Sequence, residues 1–506
     1  MRQSGSPASG RATAGGDRAS RSVGDRKITL SLVSHTNVGK TTLARTLLRR
    51  DVGEVLDQAH VTEESERFQL LAVPEGELVL WDTPGFGDSR RLLARLEKRD
   101  RPIVWFLQQT WDRIADRPLW SSQQAVLNVQ EEADVVLYLV NAAEEPEEAG
   151  YLAPELDLLT WVGKPLLLLL NQTGGAGASP LLMAERLEVW RRATARWEIV
   201  RDVYALDAFS RGWVQEGLLF ERVERVLDPS ERPLMAKLRR AWEDRNLEVL
   251  ARSVEAMARY LAAAAGDREE LPDRRPTKAQ KRRAMRALAE RLQASTQELM
   301  AVLLSAHGLA GASAGEVERQ VDAYVVQGEL KVDPERGALL GGVVSGALGG
   351  LAADVLAGGL TFGGGMIAGA ILGALGGAGL ARGFELAQGS RRPAVRWGAP
   401  FLDRLAAETL VRYLAVAHFG RGRGAYQDAA RPPARQVERW RSRVQGELRL
   451  HEEEMRGVWR ELGRAEDPDA AGPQTARRLR APLTAAARAA LLADYPEAYE
   501  LLRREG

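Results

Sequence analysis

The sequence predicts a doubly wound, mostly parallel α/β sheet over residues 27–227, followed by an all-α C-terminal region with a glycine-rich helical hairpin. Three observations predict it. Short apolar runs alternate with helix-like stretches as far as Leu227, the pattern of strands joined by helical crossovers. Several of those runs are apolar throughout, such as the five leucines at 166–170, which suits strands buried on both faces. Beyond Asp228, apolar residues recur at spacings of three and four with charged faces between them.

At 506 residues the chain is too long for one ordinary domain. Its net charge of +1 gives no bulk argument for nucleic acid. The absence of cysteine removes disulfides, thiol chemistry and Cys-ligated metals. The five histidines show no metal-ligand spacing and read as isolated polar residues. Residues 1–26 are rich in Ser, Gly, Ala and Arg, and are expected to form a disordered tail.

The first strand, 28–33, runs into Ser34-His-Thr-Asn-Val-Gly-Lys-Thr-Thr42 and then a helix-like stretch. Strand, glycine-bearing loop, Lys-Thr and helix form the setting of a phosphate-binding P-loop. Backbone N–H groups of such a loop cradle an anion, and the helix N-terminus faces it. Asn37, Val38, Gly39, Lys40, Thr41 and Thr42 are the candidate binding residues. Lys40 is expected to reach the β/γ-phosphates, and Thr41 to offer a hydroxyl to Mg²⁺. Ser34 departs from the pattern, which has glycine there.

Further strands are expected at 77–81, 135–140, 166–170 and 199–205. The second ends in Asp82-Thr-Pro-Gly85. Asp82 is the candidate acidic partner of the Mg²⁺ shell, and Gly85 can turn its N–H toward a γ-phosphate. Residues 86–134 read as mostly helical and rich in tryptophan, either an enlarged switch or a packing insertion.

These paired motifs resemble those of the translation-factor-related (TRAFAC) P-loop GTPases of the Era and tRNA-modification type. More of the chain resembles a bacterial family that joins such a domain to a C-terminal helical domain of unknown function. The resemblance rests on the His-Thr-Asn loop, the glycine-rich segment and the run from Tyr413 to Gly424. It implies GTP/GDP and Mg²⁺ as ligands, and hydrolysis of GTP to GDP and phosphate as a molecular switch. Thr62 then matches the switch threonine on Mg²⁺. Asn37 matches the residue that helps hold K⁺ in potassium-stimulated relatives, a further cofactor candidate, and so joins Lys40 as a catalytic candidate. Phe86 stands where Ras-like switches carry a water-orienting Gln, so a low intrinsic rate is expected. Asn171 matches the first residue of the base-reading motif, but the Asp of that motif is Gly174, which leaves the choice of guanine open. Asp207 lies near the last base-contacting loop.

The helical region 228–336 is broken by Pro272 and Pro276, and its basic cluster at 274–283 reads as a solvated helix start. Between Gly337 and Ala381 the only charge is Asp354, and glycines recur every fourth residue. Such a tract suits close helix packing, as in small-xxx-small membrane pairs, and is read as a hairpin over 337–382 that inserts in a membrane or packs on itself. Residues 383–506 read as an Arg-rich helical C-terminal domain. The chain is placed in the cytoplasm, on the inner face of the membrane if the hairpin inserts, with lipid or an integral membrane protein as partner. Two other readings stand: a nucleotide-gated scaffold that barely hydrolyses, and a ribosome- or RNA-associated GTPase.

Overall fold

Strand β1 (Lys27–Ser34) sets the architecture, because its alternate residues enter two different cores. The computed structural model describes residues 26–35, 38–48, 65–97, 117–171, 180–206, 212–309, 384–388, 393–418, 434–465 and 468–504. Ile28, Leu30 and Leu32 face one side of the sheet, and Val33 faces the other. The same period of two runs through β4 (Val135–Asn141) and β5 (Leu166–Asn171). Continuous apolar runs are therefore required: each strand must cover two faces.

The sheet order is β2-β3-β1-β4-β5-β6. The strands β3 (Gly76–Asp82), β1, β4, β5 and β6 (Val200–Ala205) are parallel neighbours. The edge strand β2 (Glu66–Val73) pairs antiparallel with β3. All five expected strands form, and β2 is an addition. One face is covered by α2 (Ser89–Glu97), α3 (Arg117–Glu131), α4 (Leu152–Val162) and α5 (Pro180–Thr194), around buried Phe86 and Trp190. The other carries α1 (Lys40–Leu48) and α6 (Trp213–Val226).

That second core continues without a break into the helical region. Its spine is α7 (Arg232–Gly266), 35 residues and about 52 Å long at 1.5 Å per residue. It packs on α6, α8 (Lys278–Ala306), α9 (Ala399–Ala417), α11 (Glu452–Arg464) and α12 (Pro468–Asp494). Helix α10 (Ala434–Leu450) joins α9 to α12, and α13 (Tyr499–Arg503) closes the chain. The region is helical as expected, with one small insertion. Strands β7 (Arg268–Glu270), β8 (Phe384–Gln388) and β9 (Pro393–Trp397) form an antiparallel sheet in the order β7-β9-β8.

The basic cluster at 274–283 leads into α8, which starts behind a capping box between Thr277 and Gln280. The hairpin expected at 337–382 lies outside the described residues. Among the described residues no helix is long and apolar enough to cross a membrane.

Candidate functional site

The parallel register carries β1 and β3 to the same edge of the sheet, so the loop after Ser34 and the turn after Asp82 meet there. This is the carboxyl edge, where open α/β sheets bind ligands. Ser34 is fully buried. Its hydroxyl donates to the His35 carbonyl at 2.5 Å and accepts from Lys40 Nζ at 3.0 Å. The off-pattern serine thus touches the loop lysine.

Gly39 must be glycine for two reasons. Its φ is +96°, in the left-handed region, and a Cβ there would stand 2.7 Å from Asn171 Nδ2. That amide is fully buried at the end of β5 and donates to the Val38 carbonyl at 2.7 Å. Asn171 therefore fastens the loop to the sheet. Helix α1 begins at Lys40, and its first backbone bond runs from Leu43 N–H to the Gly39 carbonyl at 3.0 Å. Val38, Lys40 and Thr42 are buried.

Thr41 and Asp82, 41 residues apart in sequence, are in contact: Thr41 Oγ1 donates to Asp82 Oδ2 at 2.8 Å. The turn after Asp82 is docked on the end of β1. Thr83 Oγ1 donates to the Leu32 carbonyl at 2.5 Å, and Phe86 N–H to the Ser34 carbonyl at 2.9 Å. Gly85 is buried between those two anchors. Phe86 itself is fully buried in the core under α2 and α3. Asn37, Thr62, Gly174 and Asp207 lie outside the described residues.

Burial dominates the electrostatics. It pushes the Lys40 ammonium below its ordinary range, while the charges of Asp82 and Glu155 pull it back. It raises Asp82 to about 6, against the pull of Lys40 and the Thr41 hydroxyl. Asp82 Oδ1 is buried and has no hydrogen-bond partner among the described residues. A buried, orphaned carboxylate oxygen is costly unless something binds it. With the Thr41 hydroxyl beside it, the donor set is all oxygen, which fits a hard cation such as Mg²⁺.

The residue that sequence reasoning missed is Glu155. It is fully buried in the first turn of α4 and bonded to His35 Nδ1 at 2.7 Å and to the Tyr138 hydroxyl at 2.6 Å. His35 is therefore not an isolated polar residue, which corrects the expectation for that histidine. The signal was present. Glu155 lies three residues after Leu152 and four before Leu159, so a charge sits on the buried face of a helix.

Residues 29–172 match the family model described as a 50S ribosome-binding GTPase. This part of the chain is a P-loop GTPase domain. Residues 191–481, more than half of the chain, match the model described as a domain of unknown function (DUF3482). The chain belongs to the DUF3482 family. No curated protein matches this DUF3482 protein. Among solved structures it is similar to Era in complex with MgGDPNP and part of 16S ribosomal RNA, at 16% identity and a TM-score of 0.30. That match covers 40% of this chain and 58% of the Era chain, little more than half of its length. A variant of Aquifex aeolicus Era bound to GDP·AlF4⁻ matches at 17% identity and a TM-score of 0.29, covering 49% and 69%. An S. thermophilus NFeoB variant bound to GMPPNP matches at 13% and 0.24, covering 55% and 90%. Scores this low carry no argument about function.

Proposed function

We propose that the protein binds GTP with Mg²⁺ and hydrolyses it slowly to GDP and phosphate, as a switch read by its helical region. The observation that carries this reading is the contact between Thr41 and Asp82 beside the buried Lys40, with Asp82 Oδ1 unpartnered among the described residues. A polyphosphate takes Lys40 and the amides of the loop at the head of α1. Mg²⁺ would be held by Thr41 and Asp82, with Thr62 completing the set, and would neutralise charge on the β- and γ-phosphate oxygens. Lys40 holds the phosphates in line, and Gly85 offers its N–H to the γ-phosphate. Asn37 is assigned to a monovalent cation such as K⁺. Asn171 contributes to the base pocket by holding the loop beside it, and guanine is preferred over adenine although Gly174 offers no acceptor.

Phe86 keeps turnover low. It has no group to orient water and is fully buried. It also favours the second reading, a scaffold whose partner contacts change with bound nucleotide while hydrolysis is negligible. The reach of the switch to a membrane lipid or membrane protein is assigned to residues 337–382. The ribosome named by the matching GTPase model is the remaining candidate partner.

Turnover of GTP and ATP, measured in potassium and in sodium, tests the reading. Wild type should hydrolyse GTP faster in potassium, and Lys40→Ala should lose binding and turnover together. Tight GTP binding without turnover in either salt would leave the scaffold reading.

A further inference from the structure

We propose that Glu155 is a positioning residue for the phosphate loop, acting through His35. The inference rests on the nucleotide reading above. Glu155 is fully buried, and each of its oxygens is committed: Oε1 to His35 Nδ1 at 2.7 Å, Oε2 to the Tyr138 hydroxyl at 2.6 Å. Taking a carboxylate out of water is costly, and a well-packed apolar side chain would serve stability as well or better. A charge kept at such a place is spent on register. What it registers is the loop.

His35 is the first residue beyond β1, and three contacts orient it. Glu155 takes Nδ1, Tyr151 stacks on the ring at 4.4 Å and 9°, and the backbone bridges to Phe86. Tyr151 is held in turn through its hydroxyl to Glu144 at 2.7 Å. The neighbouring Ser34 carries the rest of the linkage. Its carbonyl accepts from Phe86 N–H, and its hydroxyl accepts from Lys40 Nζ. Fixing His35 therefore fixes both the lysine and the turn after Asp82. The segment just ahead of α4 also reaches α2, which follows that turn: Arg90 donates to the Gly150 carbonyl at 2.8 Å. Glu155 thus ties α4 to the residue that opens the phosphate loop. The charge of Glu155 is also felt at Lys40.

Glu155→Gln keeps the volume, removes the charge and leaves one of the two acceptors. Losing a hydrogen bond to a charged group predicts weaker GTP binding by about tenfold. Thermal stability of the nucleotide-free protein should stay near level, since Gln keeps the volume and its amide can still bond His35 and the Tyr138 hydroxyl. A merely structural role predicts the opposite pattern, lower stability with unchanged affinity in the folded fraction. The decisive measurement is a double-mutant cycle of Glu155→Gln with His35→Ala, read as GTP affinity by fluorescence titration. If Glu155 acts through His35, the double variant should bind no more weakly than the worse single variant. Tyr138→Phe, which keeps the ring, supplies a second route if Glu155→Gln fails to fold, and should weaken binding in the same sense. Affinity within twofold of wild type in folded Glu155→Gln or Tyr138→Phe overturns the proposal, as do additive losses in the cycle. A wild-type protein that binds no GTP would overturn the nucleotide reading and this one with it.

Discussion

At the scale of single residues, Gly39 shows how two constraints meet at one position. Its left-handed φ of +96° costs an L side chain about 1–2 kcal/mol. The Asn171 amide, 2.7 Å from where a Cβ would stand, adds the loss of its bond to the Val38 carbonyl, roughly 1 kcal/mol more. Gly163 separates the two effects. It caps α4 with φ +75° and has nothing within 4 Å of an added Cβ. Gly39→Ala should therefore destabilise by about 1 kcal/mol more than Gly163→Ala in urea melts, and only Gly39→Ala should weaken GTP binding. Equal losses would mean that the Asn171 contact contributes nothing. Gly39, Lys40, Thr41 and Asp82 were all legible in the sequence, because a phosphate loop is a local pattern with local spacing. The burial of Glu155 shows in the helix pattern, but its partner did not, because His35 lies 120 residues earlier and only the folded sheet brings them together.

The elements follow the same division between local and distant causes. Strands that cover two faces announce themselves, as the five leucines of β5 do. The edge strand β2, Glu-Arg-Phe-Gln-Leu-Leu-Ala-Val, has only Leu70 buried, and its register shifts between Gln69 and Leu71. Polar residues and a bulge blur the period of two that would mark it, and both are usual at an exposed edge. Strand β7 has three residues, too few for any period, and pairs with β9 from more than a hundred residues away. Helix α8 was clearer at its start. Thr277 accepts from Gln280 N–H at 3.2 Å, and the Gln280 side chain accepts from Thr277 N–H at 2.8 Å. Thr277→Ala should cost about 1 kcal/mol of stability, measured by denaturant midpoint, and leave nucleotide affinity alone. A change in affinity would show that α8 couples to the phosphate loop, which no contact of its cap suggests.

Across the whole molecule, one hydrophobic core runs from the sheet through α6 and α7 into the helical region, with Phe220 of α6 set edge-on to Trp242 of α7 at 5.0 Å. A second join lies at the far end of α6, and there it is polar. His418 ends the helix α9 and is buried against Gly212, the residue that precedes α6, whose added Cβ would meet the imidazole at 3.1 Å. The ring lies between Trp440 at 4.8 Å and Tyr495 at 5.7 Å. Nδ1 faces the Leu414 carbonyl at 2.7 Å, and Nε2 is buried with no partner among the described residues. Burial holds the imidazole below its ordinary value of 6.5, against the opposing charge of Asp494, which is itself bonded to the Trp440 indole at 2.6 Å. The sign of the consequence follows from linkage. On unfolding, His418 regains its ordinary affinity for a proton, so below about pH 6.5 the unfolded chain binds more protons than the folded one. The stability contributed by neutral His418 is thus complete above that pH and is lost as pH falls, at up to about 1.4 kcal/mol per pH unit. His418→Gln removes the titration while keeping an N–H for the Leu414 carbonyl. Stability measured from pH 8 down to pH 5 should fall more steeply for wild type than for the variant, and the two curves should separate only below about 6.5. Parallel curves would show that the join tolerates a charged imidazole. The same titration followed with GTP bound tells whether this seam, one residue before α6, is felt at the phosphate loop: a nucleotide affinity that falls with pH in wild type and not in His418→Gln would tie the helical region to the site through α6.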